Sequence, residues 1–362
     1  MTQEEIRVGI VGADNKSSWA KYSHIPALDA LSGVRLAAIA TRRSESARDA
    51  AEAFGVDRWF SNPFDMIVDD GIDLVTVSVK VPLHRELVLA ALNAGKAVYC
   101  EAPLGRSVSE AEEMVRAVQS HHTAIGLQGR LNPSVRRATE LVSSGRIGRP
   151  LEAKIVSQTA GFGPQMSAQH DFFNKLSSGA DLITISGGHA LDIAEAILGP
   201  ITHVVAGSEI RWPVVALIDT GEESKRETPD LLWVTGKTQC GAALTANVVG
   251  GVRPDDVLAS FEVRGSKGWL RLSSNHPYGF QAGDLTLSSS VPFVEPDHPA
   301  VSRITIPSAI NVGEVYAQLV RDLREGVYRT PDFEHALHNA RLMQTVRNAA
   351  EQRAKVPCLD PK

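Results

Sequence analysis

The sequence predicts a doubly wound α/β domain with a parallel sheet, followed by an α+β domain built on a large, mostly antiparallel sheet. Three observations carry that expectation. Over the first 128 residues, short apolar runs alternate with amphipathic segments, which is the spacing of strand–helix–strand units. After about Gln128 the apolar runs follow one another with few helices between them, which suits antiparallel pairing. A length of 362 residues fits two domains. We place them at residues 1–128 and 129–362, with the C-terminal helix expected to pack back on the first.

Taken in order, Ile6–Val11 (IRVGIV) is a buried strand that runs into a turn at Gly12. Residues 35–40, 74–79, 97–100 and 124–128 are the later strands of this series. Between them, residues 85–93 place Leu87, Val88, Ala91 and Leu92 on one helical face, with Gly95 as the stop. Residues 110–120 form a second helix, opened by a capping box of Ser109 and Glu112. The second half reads as a helix over 133–144 and a strand over 151–159. Further strands fall at 202–210, 242–249, 258–264 and 269–272, with helices at 180–198, 312–325 and 333–351. Residues 220–229 are charged and turn-rich, and read as a surface loop.

Composition narrows the function. A 43% hydrophobic and 22% charged chain can build real cores. A net charge of −5 with no basic face argues against nucleic acid. Three scattered cysteines (Cys100, Cys240 and Cys358) make no disulfide framework and suit a reducing compartment. The acidic start shows no signal peptide, and no apolar run reaches membrane-spanning length. The expectation is a soluble cytoplasmic protein with no membrane partner.

A strand that turns into a helix is where a doubly wound sheet holds a pyrophosphate. Gly12 stands at that turn, but Ala13-Asp14-Asn15-Lys16-Ser17-Ser18-Trp19 follows where further glycines are usual. Asn15 and Ser17 offer donors to phosphate. Gly12, Ala13, Asn15, Ser17 and Trp19 are therefore candidate cofactor residues, against the plainer reading of a structural turn. At the end of the second strand, Thr41, Arg42 and Arg43 replace the acidic residue that would bind ribose hydroxyls. Two guanidinium groups suit a 2′-phosphate, which favours NADP over NAD. The alternative is a solvated charge pair at a helix start. Val79 and His84 follow the fourth strand. His84 is either a helix cap or a wall of the cofactor groove.

The segment 99–104, Tyr-Cys-Glu-Ala-Pro-Leu, resembles the Glu-Lys-Pro motif of the glucose–fructose oxidoreductase / inositol dehydrogenase (Gfo/Idh/MocA) family, with Ala102 in place of the lysine. In that family the lysine sits beside the nicotinamide and helps move the substrate proton. The resemblance implies a Rossmann domain and a nicotinamide dinucleotide, with Glu101 and Ala102 beside it. It also implies a sugar-like or cyclic polyol substrate and a homodimer or homotetramer. The family's second motif is Asp-x-x-x-His. His189 matches its histidine, while Ile185 stands in the aspartate's position. Asp192, three residues after His189, lies on the same helical face and is expected to orient the imidazole, so His189 and Asp192 are the candidate catalytic pair. A core histidine is the alternative. Gly187-Gly188 permit either helix packing or a ligand pressed against the backbone. Arg130, at the domain junction, is a candidate cofactor contact or a structural salt bridge. Lys80 reads as a solvated loop lysine before it reads as a replacement for the missing one. His335 and His338 share a helix face without a cysteine or aspartate cluster, a poor metal site.

Several short runs resemble the galactose-regulon repressor branch of the same family. They are 8–12, 19–20, 23–27 (SHIPA), 127–130 (LQGR), 186–192 (SGGHALD), 228–230 and 265–268. That branch binds a dinucleotide and represses an activator instead of catalysing. Two readings follow. One is an NAD(P)-dependent oxidoreductase of a sugar or polyol, with His189 as proton carrier. The other is a non-catalytic dinucleotide-binding regulator with a protein partner.

Overall fold

The computed structural model describes residues 5–296 and 301–352; Cys358 lies outside them. The first half alternates β1 (Ile6–Val11), α1 (Trp19–Tyr22), α2 (His24–Ala30), β2 (Val34–Ala40), α3 (Ser44–Phe54), β3 (Trp59–Phe60), α4 (Pro63–Ile67) and β4 (Leu74–Val77). It continues through α5 (His84–Asn93), β5 (Ala97–Cys100), α6 (Val108–Ala117) and β6 (Thr123–Ile125). These six strands form one parallel sheet in the order β3-β2-β1-β4-β5-β6. Its strands are apolar without alternation because helices cover both faces, so residues pointing either way, such as Ile10, Val75, Val77 and Val98, are all buried.

The second half runs α7 (Pro133–Ser143), β7 (Pro150–Gln158), β8 (Gln165–Met166), α8 (Gly188–Leu198), β9 (Ile201–Glu209), β10 (Val214–Leu217), β11 (Glu222–Lys225) and β12 (Leu231–Thr238). Then come β13 (Ala243–Val249), β14 (Ala259–Gly265), β15 (Trp269–Ser274), β16 (Thr286–Ser289), α9 (Pro307–Glu325) and α10 (Phe333–Glu351). Seven strands form a sheet in the order β16-β15-β14-β7-β13-β12-β9, antiparallel except between β7 and β13. In β13, Leu244, Ala246 and Val248 are buried while Ala243, Thr245 and Asn247 are exposed, as expected of a sheet covered on one face.

Both C-terminal helices return to the first half. α9 places Val312, Val315, Tyr316 and Leu319 in the core on one face of the parallel sheet. α10 gives Phe333, Ala336 and Leu337 to the core on the other face, and Leu342, Met343 and Val346 to the core of the second half.

Two local expectations need correction, and one open alternative is decided. The cap of α6 is Ser107, whose side chain accepts the Glu110 N–H, so the helix starts earlier than a Ser109 cap would place it. Residues 220–229 are not a loop. They contain β11, paired with β10 in a three-stranded sheet that also takes in β8. Arg226 there is almost wholly buried, bonded to the Asn174 side chain, to the Phe162 and Gly163 carbonyls and to Asp230. Local charge suggested solvent, but distant partners decide its place. Finally, Gly187 and Gly188 serve packing: a Cβ there would press on Leu232 and on Asn339 of α10.

Candidate functional site

In the parallel sheet the chain leaves β1 and β4 in opposite directions, so a crevice opens outside their carboxyl ends. Gly12 lines it with φ +99°, and a Cβ there would run into the Ser78 carbonyl. Ala13 is fully buried behind it. The Asp14 carboxylate accepts the Lys16 and Ser17 N–H groups (2.8 and 3.0 Å), which curls the loop and leaves Asn15 and Ser17 exposed at the mouth. Ser17 is bonded to Gln169 from the second half, at 3.0 Å. Trp19 packs edge-on against Tyr278, also from the second half. At the end of β2, Thr41 bonds the Arg43 carbonyl, and both Arg42 and Arg43 are exposed. Val79 is half-buried against Gly12, and exposed Lys80 sits over the Phe172 ring, 4.9 Å from its centroid.

These residues fit a dinucleotide. The glycine cradle admits a close backbone approach. Among the described residues, Ser78 Oγ and Trp19 Nε1 are buried with no hydrogen-bond partner, in a molecule where such atoms are ordinarily satisfied. The side-chain amide of Gln128, just beyond β6, is likewise buried and unpartnered.

At the ends of β5 and β6 lies a buried chain of hydrogen bonds that the sequence reading missed. Glu101 Oε1 bonds His24 Nε2 at 2.9 Å. His24 Nδ1 bonds the Tyr316 hydroxyl at 2.9 Å, which bonds Thr76 Oγ1 at 2.8 Å. Gly126 makes room for the carboxylate, since a Cβ there would press on Glu101 Oε2. The members come from α2, the residue after β5, α9 and β4, so no local spacing announces them. Glu101 and the histidine of the SHIPA run were visible, each as part of a resemblance, but not their bond to each other or to Tyr316 and Thr76.

His189 is buried near the start of α8, and its Nδ1 has no hydrogen-bond partner among the described residues. Burial holds its imidazole below the ordinary value, against the pull of Glu101 and Asp192. Asp192 does not orient it. Asp192 Oδ1 takes Arg130 at 2.8 Å and His335 at 2.6 Å instead. The i, i+3 spacing does put both residues on one face, but cations from two other elements claim the carboxylate. Arg130 is correspondingly a structural ion pair, not a free cofactor contact. His338 bonds Glu195 in the same way. His84 is also reassigned. It is almost fully buried, with Nε2 3.0 Å from the Val79 carbonyl and Nδ1 3.1 Å from that of Pro103, so it clamps two strand ends together and does not wall the groove.

Ala102 backs onto a cavity of about 250 Å³, closed by the 103–108 loop, Thr184 and the α10 residues Asn339, Met343 and Arg347. His189 is not in its wall.

Burial also lowers the His84 imidazole from its ordinary value. Unfolded, both histidines titrate near about 6.5. Between that pH and their lower folded values, the unfolded chain binds more protons than the folded one. Stability is therefore expected to fall as the pH drops below about 6.5. Thermal unfolding at about pH 7.5 and about pH 5.5 checks this, and His84→Gln should shrink the difference between the two.

The comparisons agree with this geometry. Residues 6–128 match the oxidoreductase family with the NAD-binding Rossmann fold, Gfo/Idh/MocA. Residues 133–274 match the Gal80p C-terminal domain. The dehydrogenase aclE of Aspergillus oryzae is 31% identical over 246 residues, 65% of this chain and 67% of that one. Across the first three curated relatives, the aligned chain spans 52–67% of their own length. Among solved structures, a super-repressor mutant of Gal80p from Saccharomyces cerevisiae superposes with a TM-score of 0.83 at 22% identity, over 96% of both chains. Levoglucosan dehydrogenase in complex with NADH superposes with a TM-score of 0.82 at 20% identity, over 96% of this chain and 98% of that one. Among the described residues, no helix is long and apolar enough to cross a membrane. With a glycine-cradled crevice at the switch point of a parallel sheet, and family matches on both sides of the junction, this chain belongs to the Gfo/Idh/MocA oxidoreductase family and carries a Gal80p-like C-terminal domain.

Proposed function

We propose that the protein is an NADP-dependent oxidoreductase of a sugar-like or cyclic polyol substrate. Residues 1–128 hold the dinucleotide, and 129–362 hold the substrate and a second copy of the chain, in a cytoplasmic homodimer or homotetramer. The observation that carries the catalytic part is His189: a buried imidazole with an unpartnered Nδ1, kept from charging by its surroundings and close enough to Glu101 to feel its charge. Arg42 and Arg43 would hold the adenine ribose and Gly12 the pyrophosphate, and Ser78, Glu101, Ala102 and Gln128, at the ends of β4, β5 and β6, would then hold the nicotinamide end. When bound, the nicotinamide supplies the hydride chemistry. His189, with Nδ1 sealed in the interior, takes or returns the substrate hydroxyl proton at Nε2. Glu101, fixed by His24, orients the groups around it.

Titration with NADPH and NADH tests the cofactor. NADPH is expected to bind about tenfold tighter or better, and replacing Arg42 and Arg43 by alanine should erase that margin. Equal affinities in the unaltered protein would sink the 2′-phosphate assignment. Turnover of either cofactor on a panel of sugars and polyols tests the reaction.

A second reading, a non-catalytic regulator, is favoured by Ala102 and Ile185 at the two family positions that carry a lysine and an aspartate. The Gal80p-like second domain points the same way. On that reading no sugar or polyol oxidises or reduces the cofactor, and a protein partner binds with an affinity that NADP(H) changes.

A further inference from the structure

The charges around the proposed nicotinamide end do not balance. Glu101 brings a carboxylate to the end of β5, and the next residue is Ala102, so no cation follows it. Among the described residues, the hydrogen-bond partner of the carboxylate is His24 alone, on Oε1; Oε2 is left free beside Gly126. The side chain keeps 15% of its surface open. The carboxylate is the partly exposed end of the pair, since the His24 side chain is fully buried.

The other groups packed around Glu101 do not offset it. Tyr316 from α9 and Tyr99 from β5 are fully buried, and burial holds both hydroxyls in the neutral form. Burial likewise holds the Cys100 thiol neutral. His84 and His189 are held toward the neutral form as well. Arg130, the nearest cation on the 128–131 turn, is already bound to Asp192. Lys80 is turned to Phe172 and carries its charge beside Arg42, on the adenine side of the crevice.

We propose that Glu101, left without a neighbouring lysine by Ala102, makes this site bind the oxidised, positively charged nicotinamide ring more tightly than the reduced, neutral ring. Glu101 is then the residue that sets redox-state specificity. This rests on the nicotinamide placement in the proposed function, but it holds whether or not the protein turns over a substrate. The rest of the cofactor is the same in the two redox forms, so its contacts cancel in the ratio of their affinities. What remains is one carboxylate against one unit of ring charge in a partly desolvated crevice. At separations of a few ångströms and intermediate dielectric, that pair is enough for a tenfold ratio.

The test measures dissociation constants for NADP+ and NADPH by calorimetry, with the unaltered protein, Glu101→Gln and Ala102→Lys. The nicotinamide-free fragment 2′-phospho-ADP-ribose serves as control. The oxidised form is expected to bind at least tenfold tighter to the unaltered protein. Glu101→Gln should bring the ratio near one, and Ala102→Lys should bring it to one or below. Fragment affinity should stay within about twofold throughout, which separates a local charge effect from damage to the fold. A ratio near one in the unaltered protein, or a ratio that survives Glu101→Gln, overturns the proposal. If Glu101→Gln does not fold, an unchanged ratio in Ala102→Lys overturns it instead. The NAD+/NADH pair yields the same ratio, so a failed 2′-phosphate assignment leaves this result standing. Absence of binding by every dinucleotide overturns the cofactor reading and this proposal together.

Discussion

Replacing His189 by alanine is expected to lower kcat about 10²–10⁴-fold while leaving the dinucleotide dissociation constant nearly unchanged. The size follows from the role. A proton carrier acts on charge that develops at the substrate oxygen during hydride transfer, so its loss appears in the transition state and not in cofactor affinity. His189 suits the task because burial keeps it unprotonated near neutral pH, ready to accept a proton, while Glu101 and Asp192 pull the other way and limit that shift. The measurement is steady-state kinetics beside a binding titration. A kcat that stays within a factor of two, with measurable turnover, removes His189 from the chemistry.

Replacing Asp230 by alanine is expected to cost about 3–5 kcal/mol of stability, the largest effect anticipated for a residue outside the crevice. The Asp230 side chain is fully buried and holds two arginines at once. It meets Arg226 at 3.2 Å and Arg211 Nε at 2.8 Å, and also accepts the backbone N–H groups of Arg211 and Trp212. Arg226 is itself almost wholly buried. Removing the carboxylate strands a guanidinium in the interior, and burial already holds Arg226 below its ordinary value. Asp230→Asn keeps part of the hydrogen bonding and should cost less. Denaturant unfolding decides. A loss below about 1 kcal/mol for the alanine variant would mean that water or backbone replaces the carboxylate.

How much of this was legible depends on the range over which each signal acts. β1 and β5 were readable to the residue, because a strand buried on both faces is a short apolar run with sharp ends. α10 was readable because its apolar spacing persists for nineteen residues. The cap of α6 was placed at Ser109 because two serines precede the same apolar stripe and both lie three residues before a glutamate. Only backbone geometry picks Ser107. The burial of Arg226, just after β11, was hidden because charge predicts solvent unless the partners are known, and Asn174, Phe162 and Asp230 are known only from the fold. The crevice itself was half legible. Gly12, Arg42, Arg43 and Glu101 lie at strand ends, and strand ends can be counted along a chain. The partners of Asp192 and Glu101 could not be read, since His335, Arg130, His24 and Tyr316 reach them from across the molecule.

The return of α9 and α10 to the first half has a consequence for how the protein is made. Both faces of the parallel sheet are completed by residues beyond position 300: Val312, Val315, Tyr316 and Leu319 on one face, Phe333, Ala336 and Leu337 on the other. During synthesis the N-terminal strands emerge first and would ordinarily close a domain before the rest of the chain appears. Here they wait, with Ile10, Val75 and Val98 lacking part of their cover, until α9 and α10 have left the ribosome. A nascent chain stopped before α9 should therefore need a chaperone or aggregate. Natural sequences that lack α9 and α10 would lose the dinucleotide site with them, although none of the crevice-lining loops had been touched.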